Sequence, residues 1–278
     1  MQRPTDSTIW VNDSLVDTGD ANVSVLDHGL TVGDGVFETM KAVDGRAFAL
    51  TRHLERLTRS ARGLGLPDPD PERIREACAQ VLRANPMPLG RLRVTYTGGT
   101  APLGSERGEV APTLVVAIGD TARRPDTTAV ATVAWRRNEH SAVAGLKTTS
   151  YAENVVALAA AHRQGASEAL LANTAGRLCE GTGSNVFVVL GGRLLTPTLA
   201  SGCLAGITRR LVVDWCDAEE ADLPLSVLQE ADEVFLTSTL RDVQAVTRID
   251  GRELAGPGPV TAKAMAVFTE RSGDDLDP

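Results

Sequence analysis

The chain has 278 residues, 42% hydrophobic and 23% charged, with a formal net charge of −8 and a pI of about 5.1. That length suits one large domain or two of ordinary size around a proper buried core. Its arginines are interspersed with acids and form no basic stripe, which argues against nucleic acid or an anionic membrane as partner.

Four cysteines, Cys78, Cys179, Cys203 and Cys216, form no CxxC pair, and the four histidines are scattered. No metal site and no disulfide framework are expected, and reduced cysteines suit a cytoplasmic protein. The start, "MQRPTDSTIWVND", has no apolar h-region, so no signal peptide is expected. No apolar run reaches the roughly 18 residues of a membrane-spanning helix.

In chain order, "STIWVND" and "SLVDT" read as two strands around a turn at Asn12-Asp13. "GVFETMKAVDGRAFAL" is a hairpin signal centred on Asp44-Gly45. In "TRHLERLTRSARGLGL", Leu54, Leu57, Ala61 and Leu64 recur at helical spacing, and Gly65 suits a stop. "DPERIREACAQVLRAN" is a second amphipathic helix with Pro71 in its first turn. "GRLRVTYT" and "PTLVVAIG" are strands. The polar stretch "GDTARRPDTTA" is a linker, which sets a first domain over residues 1–120, a link over 121–126 and a second domain over 127–278.

The second half opens on the strand "AVATVAW". "SYAENVVALAAAHRQG" is a helix ending at Gly165, with Ser150 and Glu153 spaced as a capping box. "SEALLAN", "NVFVVLGGRLLTP" and "DEVFLTS" are strands, "AGITRRLVVDWCDA" and "GPVTAKAMAVFTERSG" helices. The acidic tail "SGDDLDP" is expected to fray. The irregular alternation, with hairpins as well as crossovers, is not a doubly wound pattern.

No GxGxxG in a strand–helix unit, GxxxxGK[ST] or GxSxG occurs. Four other stretches carry side chains suited to chemistry. "GLKTTSY" holds Lys147, one of only three lysines among 28 cations, the others being Lys41 and Lys263. A partly desolvated lysine has a lowered amine pKa and attacks a carbonyl; a surface loop lysine is the plain alternative. "LCEGTGSNVFVVL" sets Glu180 between an apolar strand and small hydroxyl residues, where its carboxylate could accept a proton from a heterocyclic nitrogen; a simple turn fits as well. "CLAGITRRLVV" opens a helix at Gly206, Ile207 and Thr208, whose N–H groups and hydroxyl form an anion site or an ordinary cap. Ser238 and Thr239 end the strand in "VFLTSTL", where two hydroxyls could reach the same anion or only solvent. Together these stretches supply an amine nucleophile, an acid for a ring nitrogen and neutral donors for a phosphate. Pyridoxal 5′-phosphate needs that set.

The sequence resembles the class IV aminotransferases, the fold-type IV pyridoxal phosphate enzymes, over nearly its whole length. "EGTGSNVF", "LLTP" and "LAGITR" carry most of the likeness, and "DHGLTVGDGVFET" and "FALTRHLERL" add to it. The resemblance implies an α+β fold with a small N-terminal domain and a larger C-terminal pseudo-barrel, the cofactor between them, and a homodimer. It implies that Lys147 forms the internal aldimine and shuttles the proton. Glu180 would serve the pyridine nitrogen, and Ser184 and Asn185, further along "EGTGSN", would also bind the cofactor. Arg56, Ile207, Thr208, Thr239 and their neighbours Gly206 and Ser238 would serve the phosphate. Leu204 would pack on the ring, and Tyr151 would bond its phenolic oxygen. Phe37 would lie beside the substrate, with Tyr96 and Arg107 as further candidate substrate contacts.

The family holds branched-chain and D-amino-acid aminotransferases, (R)-amine transaminases and 4-amino-4-deoxychorismate lyase. D-amino-acid enzymes carry an Arg-x-His carboxylate trap after the strand matching "RLRVTYT"; this chain reads "YTGGTAPLGSERG" there. Its short length and that Gly-rich loop resemble the lyases, whereas Tyr151 resembles branched-chain enzymes. The expectation is therefore a lyase giving 4-aminobenzoate and pyruvate, with a branched-chain or D-amino-acid aminotransferase as the alternative.

Overall fold

The computed structural model describes residues 7–278. Residues 1–6, on which part of the signal-peptide reading rests, lie outside the described residues. The chain divides into two compact units. One comprises residues up to Arg123 with Leu146–Ser150 and Leu276–Pro278, the other Arg124–Gly145 and Tyr151–Asp275.

The first unit contains β1 (Thr8–Val11), β2 (Ser14–Asp17), α1 (His28–Thr31), β3 (Gly35–Val43), β4 (Arg46–Ala47), α2 (Leu50–Leu64), α3 (Pro71–Ala84), β5 (Leu89–Thr97) and β6 (Thr113–Asp120). Its strands form one antiparallel sheet in the order β2-β1-β6-β5-β3-β4. Alternation decides the faces. Val36, Met40, Leu92, Val94 and Tyr96 pack against Leu54, Leu57, Ala61, Ile74 and Val81 of the two long helices. Asp70 caps α3 by accepting from Glu72 N and Arg73 N, with Pro71 at the first helical position. Gly65 ends α2 at φ 76°, a left-handed conformation that only glycine adopts at little cost.

The tail is not frayed. Leu276 O accepts from Ala49 N, and the Asp277 carboxylate accepts from the backbone N and hydroxyl of Thr51. Ala49, at φ 54°, gives α2 no side-chain cap. Asp277 supplies one from 226 residues away.

The second unit contains β7 (Thr127–Arg137), α4 (Ala152–Arg163), β8 (Glu168–Asn173), β9 (Leu178–Gly181), β10 (Asn185–Leu190), β11 (Arg193–Pro197), α5 (Ile207–Cys216), β12 (Glu219–Ala221), α6 (Val227–Glu230), β13 (Glu233–Ser238), β14 (Asp242–Ile249), β15 (Arg252–Glu253) and α7 (Pro259–Asp274). The order β12-β11-β10-β13-β14-β7-β8-β9 mixes antiparallel hairpins with three parallel pairings, β11/β12, β14/β7 and β7/β8. Val130, Leu170, Val186, Val188, Leu236 and Val246 form the apolar interior. On the other face Phe187 and Phe235 stack at 4.8 Å.

The capping box is a correction. Tyr151, not Ser150, is the N-cap of α4, and it makes no side-chain cap bond. Ser150 instead donates its hydroxyl to Gly33 O within the first unit, where Thr149 N also donates to Gly35 O. These bonds explain why Leu146–Ser150 belongs to the first unit although its flanks belong to the second.

Candidate active site

In the first unit the segment carrying Lys147 extends the β3 edge. Phe37 N donates to Lys147 O at 3.0 Å, and Lys147 N donates to the Ser60 hydroxyl at 3.2 Å. Leu146 packs so closely on α2 that a Cβ on Gly63 would meet it at 2.6 Å. The backbone of Lys147 is thus pinned on both sides. Its Nζ lies 4.4 Å from the centroid of the Phe37 ring, and the Arg93 guanidinium carbon lies 3.8 Å from the same centroid.

The sequence reading singled out Tyr96 and not Arg93; strand parity puts the two on opposite faces of β5. Phe37 pairs with Thr95, two residues from Arg93, so all three share one face. Tyr96 pairs with Val36 and points into the core, where it is 7% exposed. Arg107 is held by partners within the first unit. Its Nε and Nη2 donate to the Asp34 carboxylate, both at 2.6 Å. Nη1 and Nη2 also donate to the carbonyls of Gly65 and Leu64. Its three nitrogens are spent on tying the loop to the end of α2. Burial opposes the charged Asp34, but Arg107 and His28 outweigh it and hold its carboxyl below the ordinary value.

Arg56 lies on α2 and is buried. Its Nε and Nη2 donate to the two oxygens of Glu38, at 2.8 and 2.7 Å, and His53 Nδ1 lies 2.6 Å from Glu38 Oε2. Burial opposes the Glu38 charge, yet Arg56 and His53 hold its carboxyl well below the usual carboxylate range. Burial pushes the His53 pKa down, Glu38 pulls it up, Arg56 and Lys147 push it down again, and the net shift is downward.

In the second unit Glu180 Oε2 accepts from Leu204 N at 2.9 Å. Its Oε1 lies 3.1 Å from Arg137 Nε, an ion pair whose N–H is not aimed for a hydrogen bond. Arg137 is held in turn by Glu153 and Asn154 at 2.8 and 3.0 Å. The Asn185 amide donates to Leu204 O at 2.9 Å, so the two peptide groups flanking Leu204 are fixed by Glu180 and Asn185. Asn185 therefore shapes the 204–206 turn. Ser184 turns away, donating its hydroxyl to the buried Glu168, which also accepts from Thr182.

Beyond that turn α5 begins at Ile207 with Gly206 as N-cap and no side-chain cap bond. The first N–H groups of a helix have no intrahelical acceptor, so they offer donors to an anion. Thr208 is 4% exposed. Thr237 stands directly opposite Asn185 across β10 and β13, and its buried hydroxyl has no partner among the described residues. Ser238 and Thr239, one and two residues further on, are partly exposed. An uncapped helix start beside an orphaned buried hydroxyl fits a phosphate, and an amine pinned over an aromatic ring fits an aldehyde-bearing cofactor.

Among the described residues no helix is long and apolar enough to cross a membrane, and no group of His, Cys, Asp or Glu could hold a metal ion.

These features define an α+β enzyme fold equipped for pyridoxal phosphate. The family model for amino-transferase class IV matches residues 35–249. A putative branched-chain-amino-acid aminotransferase of Methanocaldococcus jannaschii is 34% identical over 94% of this chain and 95% of its own. A D-alanine aminotransferase of Listeria monocytogenes is 31% identical, covering 94% and 95%. The crystal structure of a putative 4-amino-4-deoxychorismate lyase from Legionella pneumophila superposes with a TM-score of 0.86 at 26% identity, covering 91% and 96%. The chain belongs to the class IV aminotransferases, and membership carries pyridoxal 5′-phosphate with it as cofactor.

Proposed function

We propose that the protein transfers an amino group between a branched-chain amino acid and a 2-oxo acid. The observation that carries this reading is the Phe37 ring with Lys147 Nζ at 4.4 Å and the Arg93 guanidinium at 3.8 Å. A reacting amine, an apolar surface and a carboxylate-binding cation are what an apolar amino acid requires of its site. The 34% identity to a putative branched-chain enzyme, the absence of an Arg-x-His pair after β5 and the presence of Tyr151 support the same choice.

The proposed roles follow from the side-chain chemistry. The cofactor, when bound, supplies an electron-accepting ring that stabilises charge at the amino-bearing carbon. Lys147 Nζ would hold the cofactor covalently and, once released as a free amine, would act as the base and acid that moves the proton from that carbon. Glu180 would accept a hydrogen bond from the protonated ring nitrogen, Leu204 would pack on the ring, and the Tyr151 hydroxyl would serve its phenolic oxygen. For the phosphate, Arg56 of the first unit would serve as cation, and in the second unit the N–H groups of Ile207 and Thr208 and the hydroxyls of Ser238 and Thr239 would serve as donors. Arg93 orients the substrate carboxylate.

The lyase remains the second reading, favoured by the Gly-rich loop "TGGTAPLGS" and by the likeness to the Legionella structure. It loses its Arg107 argument, since that side chain is committed to Asp34. Purified holoenzyme given L-leucine and 2-oxoglutarate forms glutamate on the proposed reading. Release of 4-aminobenzoate from aminodeoxychorismate, with no glutamate from L-leucine, refutes it.

A further inference from the structure

We propose that Glu38 and His53 are positioning residues for the cofactor phosphate, acting through Arg56. This rests on the reading of Arg56 as a phosphate ligand. Glu38 has no solvent exposure, and both of its oxygens are taken up by one guanidinium, Nε at 2.8 Å and Nη2 at 2.7 Å. Such a fork-to-fork pair fixes the plane of the guanidinium as well as its place. Nε and one Nη2 hydrogen lie along one edge of the group, so turning that edge to Glu38 directs the opposite edge, with Nη1, away from it.

Glu38 is itself fixed. It lies mid-strand on β3, with Val94 directly across on β5. His53, one helical turn before Arg56 on α2, places Nδ1 2.6 Å from Glu38 Oε2 and is 1% exposed. Its other nitrogen, Nε2, is buried with no partner among the described residues.

Stability does not account for this cluster. Burying an ion pair costs more desolvation than its mutual attraction reliably returns, and apolar replacements of similar volume are often neutral or better. What an apolar core cannot do is hold a guanidinium in one orientation. A phosphate bound by a pre-oriented fork loses less side-chain entropy than one bound by a mobile cation.

The test compares two probes on the apoprotein, pyridoxal 5′-phosphate and pyridoxal, which differ only in the phosphate. Affinities are read by fluorescence quenching, with no turnover required. In Glu38→Gln the amide offers one oxygen where two were used. The expected result is a loss of about ten- to a hundredfold in affinity for the phosphorylated probe, with pyridoxal affinity unchanged within about twofold. Glu38→Asp keeps the charge and restores part of the preference; if the Gln variant does not fold, it is read in its place. Equal weakening of both probes would mark the cluster as merely structural and overturn the proposal, as would an unchanged preference. A wild-type protein with no preference for the phosphorylated probe would instead remove Arg56 as phosphate ligand, and the positioning claim with it.

Discussion

Gly206→Ala tests the turn that opens α5. Gly206 sits at φ −65° and ψ 139°, where alanine is conformationally comfortable, so backbone strain is not at issue. Space is. A Cβ there would stand 2.0 Å from Asn185 Oδ1, whereas ordinary contact begins at 3.4 Å. Asn185 is 5% exposed on a central strand, so its amide has little room to retreat. Moving it breaks the 2.9 Å bond to Leu204 O. Overpacking costs about 1–3 kcal/mol and the lost hydrogen bond about 1 kcal/mol, together roughly 2–4 kcal/mol. Thermal unfolding then shifts down by roughly 5–15 °C. The decisive assay is a double-mutant cycle with Asn185→Ala, followed by denaturant unfolding. With the amide gone the severe contact is removed and only Arg209 Cβ at 3.2 Å stays close, so Gly206→Ala costs at least about 1 kcal/mol less in that background. Equal cost in both backgrounds would refute the steric argument and the role given to Asn185.

Three further outcomes follow from side-chain partners. The folded pKa of His53 is lowered from its ordinary 6.5, so the unfolded chain binds the extra proton first as pH falls. Stability is full above about pH 6.5 and declines below it, at up to about 1.4 kcal/mol per pH unit, and His53→Gln flattens that slope in urea unfolding between pH 7 and 5.5. Arg107→Ala lowers stability by about 1–2 kcal/mol through its bonds to Asp34, Gly65 and Leu64, while KM for every substrate stays unchanged; a raised KM would restore Arg107 to the substrate pocket. Asp277→Ala costs about 1 kcal/mol, the worth of an N-cap, and an unchanged Tm would show that the tail does not cap α2.

Local signals read well from this sequence because local physics decides them. Asp70-Pro71 starts α3, Gly65 stops α2, and the Asp44-Gly45 turn joins β3 to β4 with Val43 opposite Arg46. Lys147, Glu180 and Thr208 stood out because each residue type is conspicuous beside a strand end or helix start. What the sequence could not show were the long-range partners. Ser150 had a capping-box partner, Glu153, three residues along the chain, but Gly33, 117 residues away, takes its hydroxyl. Arg107 looked available until Asp34, 73 residues distant, met it. Ser184 donates its hydroxyl to Glu168, 16 residues earlier. Tyr96 and Arg93 differ by an odd number of residues, so choosing one over the other inverts the face of β5, which nothing in "RLRVTYT" settles without the pairing to β3. Glu38, an acid in an otherwise β-prone run, could have signalled a buried partner, since a carboxylate among apolar strand residues demands one.

The measurement that bears most directly on the proposed activity is the single-turnover reaction of the pyridoxal phosphate holoenzyme with one amino acid and no 2-oxo acid. L-Leucine is expected to convert the bound cofactor to pyridoxamine phosphate, seen as loss of its visible absorbance, with D-alanine far slower. Lys147→Ala protein should show no conversion and no cofactor retained after borohydride reduction. Fast conversion by D-alanine and none by L-leucine would contradict the branched-chain assignment, and cofactor held covalently in the Lys147→Ala protein would contradict the account at its centre.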